Sequence, residues 1–154
     1  ASAKATDAAA PESVVGKKVP ELSGTLKDGG KWTTAALHGK VTFLTFFASW
    51  CTPCRRELPE LAGLLEKYEK MGLAVVAVGV DTDAEKARLF ANEVGVKFPV
   101  IVDPDAKLLG KFDVQNMPTG YLVDREGVIR HKQVGFGTKT IEDLQPKLKE
   151  LLKK

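Results

Sequence analysis

The feature that most constrains the fold is a run of seven residues, Val41–Phe47 (VTFLTFF), that is rich in β-branched and aromatic side chains. A strand with one solvated face would alternate apolar and charged residues, but this run contains no charge. It therefore predicts a strand that is buried on both faces, as in sheets that are largely parallel. We expect it to be the central strand of an α/β protein.

Strand and helix patterns alternate along the rest of the chain. The first half predicts a short hairpin with a turn at 28–30, the strand 41–47, and a helix after Cys51 that Pro59 bends near its start. The second half predicts a strand at 73–80, then a helix that begins with a Thr82 and Glu85 capping box and ends at Gly95, then a strand at 98–102. A short helix around Leu108 and Leu109 follows. The chain then forms a hairpin with its turn at 124–127 and a last helix capped by Thr140. This order predicts an α/β layer fold with a mixed sheet flanked by helices.

Length and charge exclude several classes of protein. With 154 residues, 44% of them hydrophobic, the chain can bury one substantial core. A formal net charge of +3 over surfaces of mixed sign does not indicate a nucleic-acid partner. No apolar run approaches the roughly 20 residues that a membrane-spanning helix needs.

The first residues differ in composition from the rest. Residues 1–10 (ASAKATDAAA) are small and polar, without apolar periodicity, and the chain does not begin with Met. We expect residues 1–15 to form a flexible tail or spacer that followed a removed signal sequence or membrane anchor, and residues 16–154 to form one domain.

The only two cysteines, Cys51 and Cys54, are separated by two residues. A disulfide that closes so short a loop removes little entropy from the unfolded chain, so a purely structural bond is disfavoured. The pair is then either redox-active or half of a metal site. A metal would need two further ligands, and only His38 and His131 are available, without the spacing of a zinc site. We therefore do not expect a metal site at the cysteines.

The position of the cysteines assigns their roles. Cys51 lies where the buried strand ends and the helix begins, beside unpaired N–H groups whose partial positive charge favours a thiolate and lowers the pKa of a thiol. Since only the thiolate attacks a disulfide, Cys51 is the expected nucleophile. Cys54, one turn into the helix and more buried, is expected to resolve the mixed disulfide.

Two segments carry a resemblance to a known family. The sequence FASWCTPCRRELP (47–59) resembles the active-site segment of extracytoplasmic thioredoxin-like proteins of the TlpA and ResA type, and FDVQNMPT (112–119) with YLVDREG (121–127) resembles their cis-proline loop and following hairpin. The resemblance covers about 19–152. It implies a thioredoxin-like fold with an N-terminal hairpin, in which residues 82–102 are the helix-strand insertion that small thioredoxins lack.

The resemblance also implies roles for individual residues. Cys51 and Cys54 match the redox-active disulfide, Glu57 an acidic residue that supports catalysis, and Pro118 a proline in a cis bond beside that disulfide. Glu57 could instead be a solvated helix residue.

Further residues are candidates for binding the substrate. Trp50, directly before the nucleophile, is expected to line a recognition surface rather than the core. Met117 and Thr119 flank Pro118 in a loop that offers backbone groups to a docked chain, although both could be loop filler. Trp32 is expected to be core.

Departures from related patterns narrow the function. Thr45 stands where small thioredoxins carry a buried Asp, so Glu57 or water must take the proton of Cys54. Thr52 and Pro53, without a His between the cysteines, favour a reductant. Thr119 follows the proline where the haem-lyase-associated branch has an acidic residue, so a dedicated role in cytochrome maturation stays open but is not strongly favoured.

The resemblance therefore implies a thiol-disulfide oxidoreductase outside the cytoplasm. It would reduce disulfides of exported proteins, with apocytochrome c among the candidates, and a membrane thiol-disulfide carrier would re-reduce it. This cycle implies neither an organic cofactor nor a metal. One alternative is a peroxiredoxin-like peroxidase, but Cys51 stands where its motif has Thr. Another is a non-enzymatic binding or metallochaperone module that uses the cysteines as soft ligands.

Overall fold

The computed structural model describes residues 13–154, which contain one seven-stranded mixed sheet and three α-helices. The strands are β1 (Ser23–Leu26), β2 (Lys31–Thr33), β3 (Val41–Phe47), β4 (Leu73–Gly79), β5 (Val100–Val102), β6 (Thr119–Val123) and β7 (Ile129–Val134). The helices are α1 (Thr52–Tyr68), α2 (Ala84–Val94) and α3 (Thr140–Leu152). The α/β, thioredoxin-like architecture predicted from the sequence is confirmed.

The strand order is β2-β1-β5-β4-β3-β6-β7. β3 is an interior strand that pairs in parallel with β4 and antiparallel with β6, and all seven of its residues are buried. The N-terminal hairpin β1–β2 forms one edge of the sheet. The predicted insertion supplies α2 and β5, and β5 joins the hairpin to β4.

Two apolar clusters cover the two faces of the sheet. Alternate residues of β3 divide between them, with Phe43 and Phe47 on one face and Leu44 and Phe46 on the other. All three α-helices contribute to the first cluster, which also contains both cysteines. The second is covered by the segment around Leu22 and Trp32 and by the chain between β5 and β6, so Trp32 is core, as predicted.

Two helix starts differ from the prediction. Asp83, not Thr82, caps α2, and its carboxylate accepts a hydrogen bond from the Glu85 amide. Thr140 is the first residue of α3 rather than its cap, because its hydroxyl accepts from the amide of Gly137 in the preceding turn. The helix expected around Leu108 is a short 3-10 turn, Leu109–Lys111.

The expected N-terminal tail falls mostly outside the described residues, which begin at Ser13. Its last part contacts the domain, since Val14 packs against the second cluster and its amide lies 3.4 Å from Oδ2 of Asp113. Within residues 13–154, none of the helices has the length and apolar character that a membrane crossing requires.

Gly120 of β6 gives a test of this packing. A Cβ atom there would lie 2.2 Å from the ring of Phe43, which is 2% exposed and cannot move into solvent. Gly120→Ala should therefore lower the free energy of unfolding by roughly 1–3 kcal/mol, as overpacked cores do. Gly63→Ala is the control, because Gly63 lies on α1 with open space around it and should gain up to ~1 kcal/mol of helix propensity. Urea denaturation of the two variants would decide, and equal stabilities would contradict the packing.

Candidate active site

The two cysteines form a disulfide where the chain leaves β3 and enters α1. Cys51 is the N-cap of α1, and its Cα lies 5.4 Å from that of Cys54. The amide of Cys54 donates to the carbonyl oxygen of Cys51 at 3.2 Å, which closes the first turn around the bond. Cys51 is 5% exposed and Cys54 is fully buried, so Cys51 is the sulfur nearer to solvent.

A buried carboxylate holds the segment that precedes Cys51. Asp81, two residues after the end of β4, accepts hydrogen bonds from the Ser49 amide at 2.8 Å and from the Ser49 hydroxyl at 2.5 Å. The amide of Cys51 donates to the carbonyl of Ala48 at 3.1 Å. These bonds fix the direction in which the chain leaves the sheet, and with it the place of Cys51.

Glu57 lies inside the protein, not in solvent. It is 2% exposed and follows Cys54 by three residues on α1, a spacing that places two side chains on the same helix face about 5–6 Å apart at Cβ. Both of its carboxyl oxygens are 3.1 Å from the hydroxyl of Thr45. No Lys, Arg or His among residues 13–154 forms an ion pair with it.

This environment favours the uncharged carboxyl group. Burial removes the water that would solvate the carboxylate and raises the pKa of Glu57 from 4.5 to about 8, while the hydrogen bond from Thr45 opposes part of that rise. A carboxyl group that titrates near neutral pH beside a redox disulfide can take up and release a proton there.

The loop with Pro118 leads into β6, the strand next to β3. The Met117–Pro118 peptide bond is cis. The carbonyl of Pro118 accepts from the amide of Gly135 at 2.8 Å, and Met117 packs against the cluster that contains both cysteines. Pro118 is buried and Met117 is half-buried.

Thr119 supports this loop from inside. It is fully buried, and its hydroxyl donates to the carbonyl of Asn116 at 2.6 Å. Its own carbonyl lies 3.5 Å from the hydroxyl of Thr45. Its side chain is therefore not exposed to a docked chain, and it holds the loop in place.

The other end of the loop is held by an ion pair that the sequence did not reveal. Asp113 accepts from the Tyr121 hydroxyl at 2.5 Å, and its Oδ2 lies 3.2 Å from Nζ of Lys132. Lys132 also donates to the Asp113 carbonyl at 2.8 Å. Although burial acts to raise it, the pKa of Asp113 is lowered overall by these hydrogen bonds and by the charge of Lys132. Asp113, Tyr121 and Lys132 thus tie the loop to β6 and β7.

Trp50 is the most exposed large apolar side chain next to the disulfide, with 69% of its surface accessible. This rules out the core alternative for Trp50. Two of the larger cavities, about 630 and 720 Å³, lie at the other end of the central strands, where β3 and β4 begin. Neither cavity is lined by Cys51 or Cys54, and the exposed ring of Trp50 beside the disulfide suits a protein substrate better than an enclosed small molecule.

The described residues contain no cluster of three or more metal-ligating side chains. Next to the cysteines, the Arg55 guanidinium points away to α2, where it lies 2.9 Å from the carboxylate of Glu93 and 4.8 Å from the ring centre of Phe90. Nothing in this arrangement completes a ligand set around the two sulfurs.

Sequence reasoning missed the residues that support the site. Asp81 could have been suspected, because a charged residue that directly follows an apolar strand lies at the same edge as the cysteines. The contacts of Thr45, and of Asp113 with Lys132, had no signal in the sequence, since each joins segments that are far apart along the chain.

Comparison with known proteins places this geometry among redox proteins. The family model described as AhpC/TSA matches residues 15–132. The thiol-disulfide oxidoreductase ResA of Bacillus anthracis is 34% identical over 137 residues, which are 89% of this chain and 78% of the relative. A Chlorobium tepidum protein assigned as the thiol:disulfide interchange protein DsbE superimposes with a TM-score of 0.86 at 33% identity, over 92% of this chain and 99% of that one. A Bacteroides thetaiotaomicron protein assigned as a protein disulfide isomerase gives 0.84 at 30% identity, over 94% of each chain.

The raised pKa of Glu57 predicts a pH-dependent stability of the oxidised protein. The pKa of Glu57 in the folded protein, about 8, lies above the ordinary value of 4.5. The contribution of Glu57 to the free energy of unfolding is therefore fully present below pH 4.5 and is lost as the pH rises towards 8. In that window Glu57 alone should lower the free energy of unfolding by roughly 1.4 kcal/mol per pH unit. Glu57→Gln should remove this slope, as measured by urea denaturation across the window.

Glu66→Gln is the matched control, because Glu66 is an exposed residue of the same helix. It should keep the wild-type slope. A Glu57→Gln variant with an unchanged slope would mean that the carboxyl group is solvated in solution.

Proposed function

Because the chain belongs to the AhpC/TSA family and is a thiol-disulfide oxidoreductase of the ResA type, we propose that it reduces disulfide bonds in exported proteins through a Cys51/Cys54 dithiol-disulfide cycle. The observation that carries this proposal is the position of the disulfide. Cys51, 5% exposed, is at a helix N-terminus beside the exposed Trp50, and Cys54 is fully buried one turn from a carboxyl group of raised pKa.

The first step is an exchange of disulfide bonds. In the reduced protein, the Cys51 thiolate attacks one sulfur of the substrate disulfide, forms a bond to it and displaces the other substrate sulfur as a thiolate. The unpaired N–H groups in the first turn of α1 stabilise negative charge on Cys51. The Ser49–Asp81 bonds hold Cys51 at this position.

In the second step, Cys54 resolves the mixed disulfide. The ionised form of Glu57 takes the proton of Cys54, and the resulting Cys54 thiolate attacks Sγ of Cys51 and releases the second substrate sulfur as a thiolate. Two electrons have then passed to the substrate, and the Cys51–Cys54 disulfide of this structure remains. A thiol normally titrates near 8.5, so a carboxyl group with a pKa of about 8 takes its proton at little cost.

The substrate would dock on the surface around the disulfide. Trp50 offers an exposed aromatic face beside Cys51, and Met117 and Pro118 form the opposite wall, where an extended chain can meet backbone groups. Thr119 supports this wall from inside the protein, because its hydroxyl donates to the carbonyl of Asn116 in the loop.

The direction and setting of the reaction extend this proposal. The Thr52-Pro53 pair, without a His between the cysteines, supports a reductant, and the match to ResA supports work outside the cytoplasm. A membrane thiol-disulfide carrier would return the two electrons after each turnover. Apocytochrome c is one candidate substrate, and the cycle requires neither a metal nor an organic cofactor.

The roles of the cysteines can be tested by trapping. Cys54→Ser removes the resolving thiol, so the reduced variant should hold a substrate protein on Cys51 as a stable mixed disulfide, visible by mass spectrometry. Cys51→Ser is the control and should trap nothing, because the buried Cys54 cannot reach a protein disulfide. Equal trapping by both variants would reverse the assignment.

The direction of the reaction can be tested by measuring the midpoint potential in a glutathione or dithiothreitol buffer. A reductant should give a value near or below about −250 mV, close to that of thioredoxin. The wild type should also reduce insulin, whereas consumption of peroxide without insulin reduction would favour a peroxidase. Binding of a soft metal without either activity would favour a metallochaperone.

A further inference from the structure

Among the described residues, Thr45 is the only hydrogen-bonding partner of the Glu57 side chain, and it also contacts Thr119, the residue after Pro118. Its hydroxyl is 3.1 Å from both carboxyl oxygens of Glu57 and 3.5 Å from the carbonyl oxygen of Thr119. All three residues are buried, with Thr45 and Thr119 fully inaccessible. No solvent molecule can take the place of this contact without entering the core.

A hydroxyl has one proton to donate but can also accept. When Glu57 is ionised, the Thr45 hydroxyl must donate to the carboxylate, because a buried charge without a donor is costly. When Glu57 is protonated, its own O–H can donate to Thr45, and the Thr45 proton is then free to turn to the Thr119 carbonyl. The two states of Glu57 thus give two orientations of one hydroxyl.

Among residues 13–154, no side chain other than Thr45 hydrogen-bonds to the Glu57 carboxyl group, and none forms an ion pair with it. The titratable neighbours on α1 itself are the cysteines, since Arg55 and Arg56 are exposed and pair with Glu93 and Glu60. β3 and β6 present uncharged Thr45 and Thr119. β4 and α3 present apolar residues to this core, and the charged side chains of α3 are exposed: Glu142, Asp143, Lys147, Lys149 and Glu150.

We propose that Thr45 is a positioning residue that aims the Glu57 carboxyl group at Cys54 and couples its protonation to the carbonyl of Thr119, next to the proline against which the substrate docks. The inference rests on the proposed function. It implies that transfer of the Cys54 proton to Glu57 changes a hydrogen bond in the strand that carries the substrate loop.

The test replaces the hydroxyl by a methyl group of the same shape. In the oxidised protein, the Glu57 carboxyl carbon, followed by ¹³C NMR, should titrate near pH 8 in the wild type and about one pH unit higher in Thr45→Val, because the variant loses the bond that stabilises the carboxylate. In the wild type, the amide of Gly120, which shares a peptide group with the Thr119 carbonyl, should shift with the same midpoint. In Thr45→Val it should not shift.

Two further variants make the result specific. Thr45→Ser keeps the hydroxyl and should restore the wild-type titration. Thr42→Val is the matched control, because Thr42 lies on the same strand, is fully buried and has a hydroxyl with no hydrogen-bonding partner within residues 13–154. It should leave both titrations unchanged.

The kinetic readout connects this contact to catalysis. The pH dependence of mixed-disulfide resolution should move upward in Thr45→Val by the same amount as the NMR titration, and not in Thr42→Val. Unchanged Glu57 titration in Thr45→Val, or a resolution profile that does not follow it, would overturn the inference. The titrations need no substrate, so a wild type that failed to reduce insulin would overturn the proposed function separately.

Discussion

Every side chain of β3 is excluded from solvent, and β4 and β6 pair with the strand along its two edges. This double burial is possible only if the sheet continues on both sides and both faces are covered. The burial of β3 also determines where the chain leaves the sheet, because the chain can turn only after Phe47. The disulfide, the start of α1 and the contact of Thr45 with Glu57 all follow from the position of this one strand.

The buried carboxyl groups of the protein differ in how many hydrogen-bond donors surround them. Asp103 accepts hydrogen bonds from three backbone amides of the turn after β5, Asp81 is satisfied by Ser49, and Asp113 has both a tyrosine hydroxyl and a lysine. Each of these groups organises a loop. Glu57 has only one hydroxyl, too little to offset the loss of water, and so its pKa rises. The carboxyl group that is least well satisfied is the one placed beside the redox pair.

Much of the fold could be predicted because its signals are local. The apolar run of β3, the glycine that ends α2 and the turn at 124–127 each depend on neighbouring residues, and each was predicted close to its observed place. Errors arose at two helix starts: Thr82 and Asp83 are both good capping residues, and the hydroxyl of Thr140 bonds to Gly137 in the preceding turn instead of capping α3. The placement of all three helices on one face, with the chain between β5 and β6 on the other, depends on packing that local patterns do not express.

For the site, the sequence by itself determined the chemistry. Two cysteines one helical turn apart after a buried strand define a redox pair, and a carboxyl group three residues later on the same helix must lie near the second sulfur. Only the tertiary structure decided what that carboxyl group can do, because its pKa depends on its burial in the core and on its contact with Thr45 of β3. The roles of Thr45, Thr119 and Asp113 were likewise decided by contacts between distant segments, which exist only after the sheet has formed.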